Sequence, residues 1–419
     1  MNNDPHFESP RCGRSRRAAR YAITALMLLS TYPLLAQAGG GAGAGIGQAS
    51  RLYRDGRSWV EESSGIMTPT RSLRVASDCG NIHVQGGAQN IKYVIKKRSY
   101  ASSEAEARKQ FERFRINAAR TSEVATLEAR WTGGRSERFS TEIFVEIPRD
   151  MDSVRLETRG GHLSANGTSA RLDLTTMGGN ISGDDLGGVR ANTMGGNVTL
   201  GSVRGDAMVR SGGGNVQVGN AQGRVEVNTA GGNVIVNSMA SGIVQTGGGS
   251  IDIGQSRGDL NATTAGGSVD VNEVQGRAAL QTGGGNIRLG SARGRVTAAT
   301  SGGSIEMWKL WQGAQAQTGA GTITAEFVGG RGAFTDTLLR TSAGDVVVYL
   351  NGSVPCTVHA SSELASGPGI RSEFPELKIT SEGGTYGPRS VTADGSLNGG
   401  GQTLKIRTTI GQIDIRKAR

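Results

Sequence analysis

Thr229-Ala230-Gly231-Gly232-Asn233-Val234-Ile235-Val236 decides how the rest of this chain is read. A Thr and one free position lead into two glycines. A polar residue follows, then an apolar–x–apolar run. The same description fits Thr193 to Leu200, Thr264 to Val271 and Thr282 to Leu289. Aligned on its first residue, the pattern falls at Thr158, Thr176, Thr193, Ser211, Thr229, Thr246, Thr264, Thr282, Thr300, Thr318 and Thr341. The steps are 17 or 18 residues, with one final step of 23. A fixed period of this size marks a repeat architecture, in which each unit buries its apolar face only by stacking on its neighbours. Val225, Val227, Val234 and Val236 alternate with polar residues, which is the period of a strand. The glycine pairs would break helices.

Each repeat carries a nine-residue echo: Gly223 matches Gly232, Val225 matches Val234, and Val227 matches Val236. One coil of the chain therefore holds two short strands and two turns. A hexapeptide solenoid would echo at six and is disfavoured. The expected fold is all-β, a flattened parallel β-solenoid with about 18 residues per coil. About ten rungs at roughly 4.8 Å would make a rod on the order of 50 Å long. The glycine pair is expected at a corner that needs positive φ or a close backbone approach. Two polar columns should run along the rod. The Thr column suits strands and allows Thr–Thr hydrogen bonds. The column after the glycines (His162, Asn180, Asn197, Asn215, Asn233, Ser250, Ser268, Asn286, Ser304) suggests an amide ladder. Turn stabilisation is the favoured role for both columns, ahead of a binding strip.

Residues 1–38 read as an export signal. Arg11, Arg14, Arg16, Arg17 and Arg20 form a basic start, Tyr21 to Leu35 an apolar stretch broken by Pro33, and Ala36-Gln37-Ala38 a cleavage site. Residues 39–70 read as a Gly-rich linker and lead-in, flexible over 39–50 by composition. The block 71–150 reads as a first rung followed by an N-terminal cap. Ser103-Glu104-Ala105-Glu106 is a capping box that opens a helix to about Ala119, with Ala107, Phe111, Phe114 and Ala118 on one face. Residues 151–350 are the solenoid repeats. Residues 351–419 form a C-terminal cap, with Leu404 to Ile415 as a last rung.

Several of these segments resemble the bacterial "putative adhesin" family, an exported β-strand-repeat domain of unknown function. The resemblance rests on the rung at Leu73–Val84, on Phe144-Val145-Glu146-Ile147-Pro148 leading into Val154-Arg155-Leu156-Glu157-Thr158, on the Gly-Gly-Asn-Val repeats, and on Ile410-Gly411-Gln412-Ile413-Asp414-Ile415. Ile370 to Pro375 and Gly399-Gly400-Gly401 add to it. It covers roughly residues 71–417. It implies an exported, β-helical, adhesin-like protein and supplies no catalytic or binding residues.

The chain holds 46 Lys and Arg against 36 Asp and Glu, a net charge of +10. Part of that excess lies in the signal, and the rest is modest and spread out. Export makes an anionic envelope polymer a better partner than nucleic acid. Of three cysteines, Cys12 lies in the signal. Cys79 and Cys356 sit near opposite ends of the expected rod, too far apart for a bridge.

Most chemistry fails on residue type. Calcium-binding nine-residue repeats need an Asp at the turn, where this chain has Val234 and Val236. No cofactor motif or metal-ligand spacing appears. A polysaccharide-cleaving β-helix needs a carboxylate cluster, and Asp252 with Asp270, one rung apart, is the candidate. Arg204-Gly205-Asp206 and Arg257-Gly258-Asp259 occupy one turn three rungs apart, with Arg224 and Arg277 in the following rungs. They read as a charge-alternating turn column, each exposed pair worth about 0–1 kcal/mol. Met307-Trp308-Lys309-Leu310-Trp311 holds two of the four Trp residues and forms either an aromatic platform or packing under the C-terminal cap. The candidate partner-binding residues are thus Trp308, Lys309, Trp311, Arg204, Arg257 and Arg293. The favoured reading is a non-catalytic, exported, adhesin-like or scaffolding solenoid in the periplasm or at the cell surface. Its partner would be an envelope polysaccharide or protein, with no membrane helix left after signal cleavage. The alternatives are a polysaccharide-active enzyme and a periplasmic sensor or assembly module.

Overall fold

The computed structural model describes residues 46–133, 139–329, 333–365, 368–383 and 389–418. Residues 1–38, read as an export signal, and residues 39–45 lie outside the described residues. The described chain forms two sheets of eighteen strands each and one helix. Each coil gives one strand to each sheet. Arg224–Thr229 lies in the first sheet, Val234–Met239 in the second, and Ser241–Thr246 returns to the first. Pairing is parallel between successive coils, with Val227 opposite Val244 and Val234 opposite Ile251. The partner therefore lies one repeat away, and the sequence period becomes the pairing register. Val225, Val227, Val234 and Val236 point between the sheets and are at most 1% exposed. Each such side chain contributes about 1.5–3 kcal/mol by leaving water.

The corner is built differently from the expectation. The Thr side chains are buried and do not bond one another. The Thr246 hydroxyl donates to the Gly232 carbonyl of the preceding coil (2.8 Å) and accepts the Gly249 N–H of its own coil (3.3 Å). Thr264 and Thr300 repeat this relay. The hydroxyls satisfy corner backbone groups that burial would otherwise leave unpaired. The two glycines also part company. A Cβ at Gly232 would collide with the Gly214 carbonyl of the coil before, so close approach demands Gly there. A Cβ at Gly231 would meet nothing nearer than 4.0 Å, and its φ is not positive.

The Asn column is a ladder of a different kind from stacked amides. Asn215 Oδ1 accepts the backbone N–H of Asn233 (2.8 Å), and Asn233 Oδ1 accepts that of Ser250 (2.8 Å). At the start of the row, His162 Nδ1 accepts the Asn180 N–H (2.9 Å), so this ring stands in for an amide oxygen. The column ties coils together and has its acceptors occupied.

Both ends depart from simple stacking. Ser72–Ser77 pairs with Val124–Trp131 on one side and with Ser153–Thr158 on the other. The coil at residues 72–86 is thus inserted between later coils. At the far end, Gln402–Ile410 pairs with both Thr337–Ala343 and Cys356–Ala365. The expected last rung is therefore interior. Antiparallel strands finish each pole: Ile46–Asp55, Ser58–Met67, Ile91–Ser99 and Phe114–Arg120 at one, Arg389–Leu397 and Lys378–Glu382 at the other. Residues 46–50, read as flexible linker, run into the first of these strands.

The helix is shorter than expected, Glu104–Glu112, capped by the Ser103 hydroxyl on the Glu106 N–H. Phe114 and Ala118 belong to the strand Phe114–Arg120. A spacing of four is even, so it satisfies the strand period as well as the helical one. Phe111 from the helix and Phe114 pack on Phe139 at 6.2 and 5.5 Å, and Trp131 stacks on the same ring at 4.4 Å. Cys79 is half-buried and Cys356 buried, both as free thiols.

Candidate functional site

The turn that returns the second sheet to the first carries most of the expected candidates. Backbone hydrogen bonds join Arg204 to Leu186, Arg257 to Met239, Arg293 to Val274 and Trp311 to Ala292. Arg204, Gln222, Ala240, Arg257, Gln275, Arg293 and Trp311 therefore form one column along one corner. Next to it Asp206, Arg224, Ser241, Asp259, Arg277 and Arg295 form a second, two residues on in each coil except at Ala240-Ser241, where it is one. The structure brings Arg293 and Trp311 into neighbouring rungs, about 4.8 Å apart along the rod. It separates them from Arg204 by several coils.

The two Arg-Gly-Asp turns are tied into this corner. Asp259 accepts the Arg277 backbone N–H (2.8 Å) and both of its guanidinium donors (3.2 and 2.9 Å). These bonds hold the Asp259 carboxyl below the usual carboxylate range, the backbone donor first. Asp206 accepts the Arg224 backbone N–H (2.8 Å). Arg204 pairs with Asp185 at 2.7 Å, and Arg257 donates to the Ala221 and Gln222 carbonyls. Their polar ends serve the turn. Arg224, Arg293 and Arg295 differ: all three are exposed, and among the described residues none of their side chains has an ion pair or hydrogen bond.

Trp308 and Trp311 are 38% and 48% exposed, so no cap covers them. Trp308 lies 5.9 Å from the Tyr349 ring, which carries the Arg416 guanidinium at 6.0 Å. A β-bulge sets this geometry. Ile305–Leu310 has one residue more than Ile323–Phe327, and the register slips between Met307 and Leu310. Trp308 and Lys309 together oppose Glu326, whose carboxylate accepts the Lys309 N–H (3.1 Å). Lys309 takes φ 50°, left-handed backbone that costs a non-glycine residue about 1 kcal/mol. Bulges of this kind re-aim side chains. The Lys309 ammonium is exposed and has no partner among the described residues.

Asp252 and Asp270 are adjacent on the outer face of the second sheet, as their spacing implied. Arg288 lies 3.8 Å from Asp270 and 3.5 Å from Glu306. Burial raises the Asp270 carboxyl above its ordinary value; Arg288 pulls it down, while Asp252 and Glu306 push it further up. The row lies on a pleated face without inserted loops. Among the described residues no group of three or more His, Cys, Asp or Glu is placed to hold a metal ion. A shallow groove of about 410 Å³ runs beside the arginine corner, lined by Arg224, Asp259, Asn261, Arg277, Arg295 and Thr297.

Sequence reasoning missed Arg295 and Tyr349. Arg295 was legible, since Arg293-Gly294-Arg295 occupies the turn that holds Arg257-Gly258-Asp259 two coils earlier. Tyr349 was hidden by the long step between Thr318 and Thr341.

No helix among the described residues is long and apolar enough to cross a membrane. No protein-family model matches the chain, and no curated protein does. Solved structures similar to it include a "putative cell adhesion protein" from Clostridium sporogenes, 10% identical, spanning 86% of this chain and 100% of that one with a TM-score of 0.20. A "putative adhesin" from Bacteroides fragilis is 11% identical over 70% of this chain and 96% of its own, TM-score 0.24. A "putative adhesin" from Parabacteroides distasonis is 11% identical over 70% and 93%, TM-score 0.27. Their names agree with the resemblance drawn from the sequence, and at these scores nothing about site or partner is taken from them.

Proposed function

We propose that this protein is an exported, non-catalytic solenoid that binds a polymer of the cell envelope. The observation that supports this most is the exposed corner at Arg293, Arg295, Lys309, Trp308 and Trp311, whose cations have no partner among the described residues and which is set on a stack of parallel coils. A cluster of several exposed cations and indoles suits an extended partner, and neighbouring weak contacts add through effective concentration. The carboxylates lie on an open sheet face, where water is not excluded and general acid–base work is poorly supported. The family resemblance in the sequence points the same way.

The test is retention of fractionated envelope material by the immobilised protein, at low and at physiological salt. Saturable retention of one anionic polymer that weakens with salt is the expected result. Absence of retention from every fraction would overturn the reading. The enzymatic alternative draws on the raised Asp270 carboxyl. It requires release of reducing ends from envelope glycans, abolished in Asp252→Asn, and no such release is expected.

A further inference from the structure

We propose that Trp308, Lys309, Trp311, Arg293 and Arg295 form one site for the acidic sugars of a uronate-containing polysaccharide. The assignment rests on the envelope-polymer reading above and names the ligand chemistry of that surface.

Three observations converge. The first is charge without a counterion. Elsewhere in this corner three arginines are balanced or tied down: Asp259 takes Arg277, Asp185 takes Arg204, and Arg257 is spent on backbone carbonyls, while Arg224 stands exposed without a side-chain partner among the described residues. At Arg293-Gly294-Arg295 the acid of the repeat is replaced by a second Arg. The neighbouring rungs offer Arg277, already paired, and Gly313. The acids nearest in register to the bulge are also committed: Glu326 to the Lys309 N–H and Glu306 to Arg288. Arg293, Arg295 and Lys309 therefore face solvent with no internal partner among the described residues.

The second is the pair of exposed indoles, both in the rung that follows Arg293. Aromatic faces take the apolar face of a sugar ring at little entropic cost. Guanidinium forks match carboxylates in a bidentate manner. An indole face beside a fork fits a ring that carries a carboxylate.

The third is placement. Met307 and Leu310 are both buried, so Trp308 and Lys309 between them both face outward, two to three residues before Trp311. The left-handed backbone of Lys309 belongs to the fold, since Asp185 (φ 53°) and Gly167 (φ 67°) hold it at the same strand position.

The test titrates the purified protein with oligogalacturonate and with its carboxyl-reduced counterpart, following tryptophan fluorescence at low and physiological salt. Oligogalacturonate should bind and shift the emission, and the reduced oligomer should not. Arg293→Gln with Arg295→Gln should weaken binding about tenfold or more, the expected loss of charge-assisted hydrogen bonds. Trp311→Ala should weaken it severalfold. Lys309→Gly suits the left-handed backbone and should leave a folded, slightly more heat-stable protein that binds less well. Arg171→Gln with Arg190→Gln makes the same charge change several coils away and should leave binding within twofold. Equal loss in that control, equal binding of poly-glutamate, or undiminished binding in both corner variants would overturn the site. If an envelope fraction is retained but oligogalacturonate is not bound, the sugar assignment fails and envelope binding stands. If nothing is retained or bound, both fall.

Discussion

Gly231 and Gly232 look interchangeable in the repeat, yet the structure gives only one of them a reason. Gly232 is buried, and a methyl group there would enter the Gly214 carbonyl. Gly231 is exposed, with open space where a Cβ would stand. Gly232→Ala should therefore cost about 3 kcal/mol, the upper range for forced overpacking. Gly231→Ala should be neutral or stabilising by about 0.4–1 kcal/mol, through a less flexible unfolded chain. Urea denaturation midpoints of the two variants decide the matter; equal loss in both would show that the corner needs two glycines. The Thr residues repeat the lesson. Their β-branched hydroxyls were legible as a column, but only the buried corner shows that the hydroxyl bonds glycine backbone.

At the scale of the element, a strand's partners matter more than its place in the chain. Chain termini normally fray because they lie at an edge. Gln402–Ile410 is close to the C-terminus but has a strand on each side. Lys378–Glu382 comes earlier and pairs with one strand only, with every residue exposed. Amides of Leu404 to Thr408 should exchange as slowly as those of Val234 to Met239, and those of Lys378–Glu382 much faster. Fast exchange over Leu404 to Thr408 would contradict the inserted coil. The helix and the bulge at Lys309 show the limit of pattern reading. Phe114 sits four before Ala118, a spacing that both periods allow, and nothing in the repeat marks Lys309 as the residue whose backbone turns left-handed.

The described strands form an open stack, and an open stack has edges. Four antiparallel strands close one pole and two close the other, with Lys378 and Glu382 flanking the outermost strand of the first sheet. Charged edge strands resist pairing with other chains. Lys378→Val with Glu382→Val should raise the mass measured by light scattering as concentration rises, relative to wild type; an unchanged mass would assign protection to the neighbouring segments instead. By itself the sequence determined the coil: its period, two strands per turn, the inward valines and the polar corner rows. It could do so because each coil contacts the next one along the chain, so local spacing and spatial register are the same quantity. Only the tertiary structure decided which coils lie at the ends, that Trp308 and Trp311 stay uncovered, and that Tyr349 and Arg416 join them. The inserted coils at residues 72–86 and 402–417 pair out of chain order, and a pairing that skips its neighbours leaves no period to read.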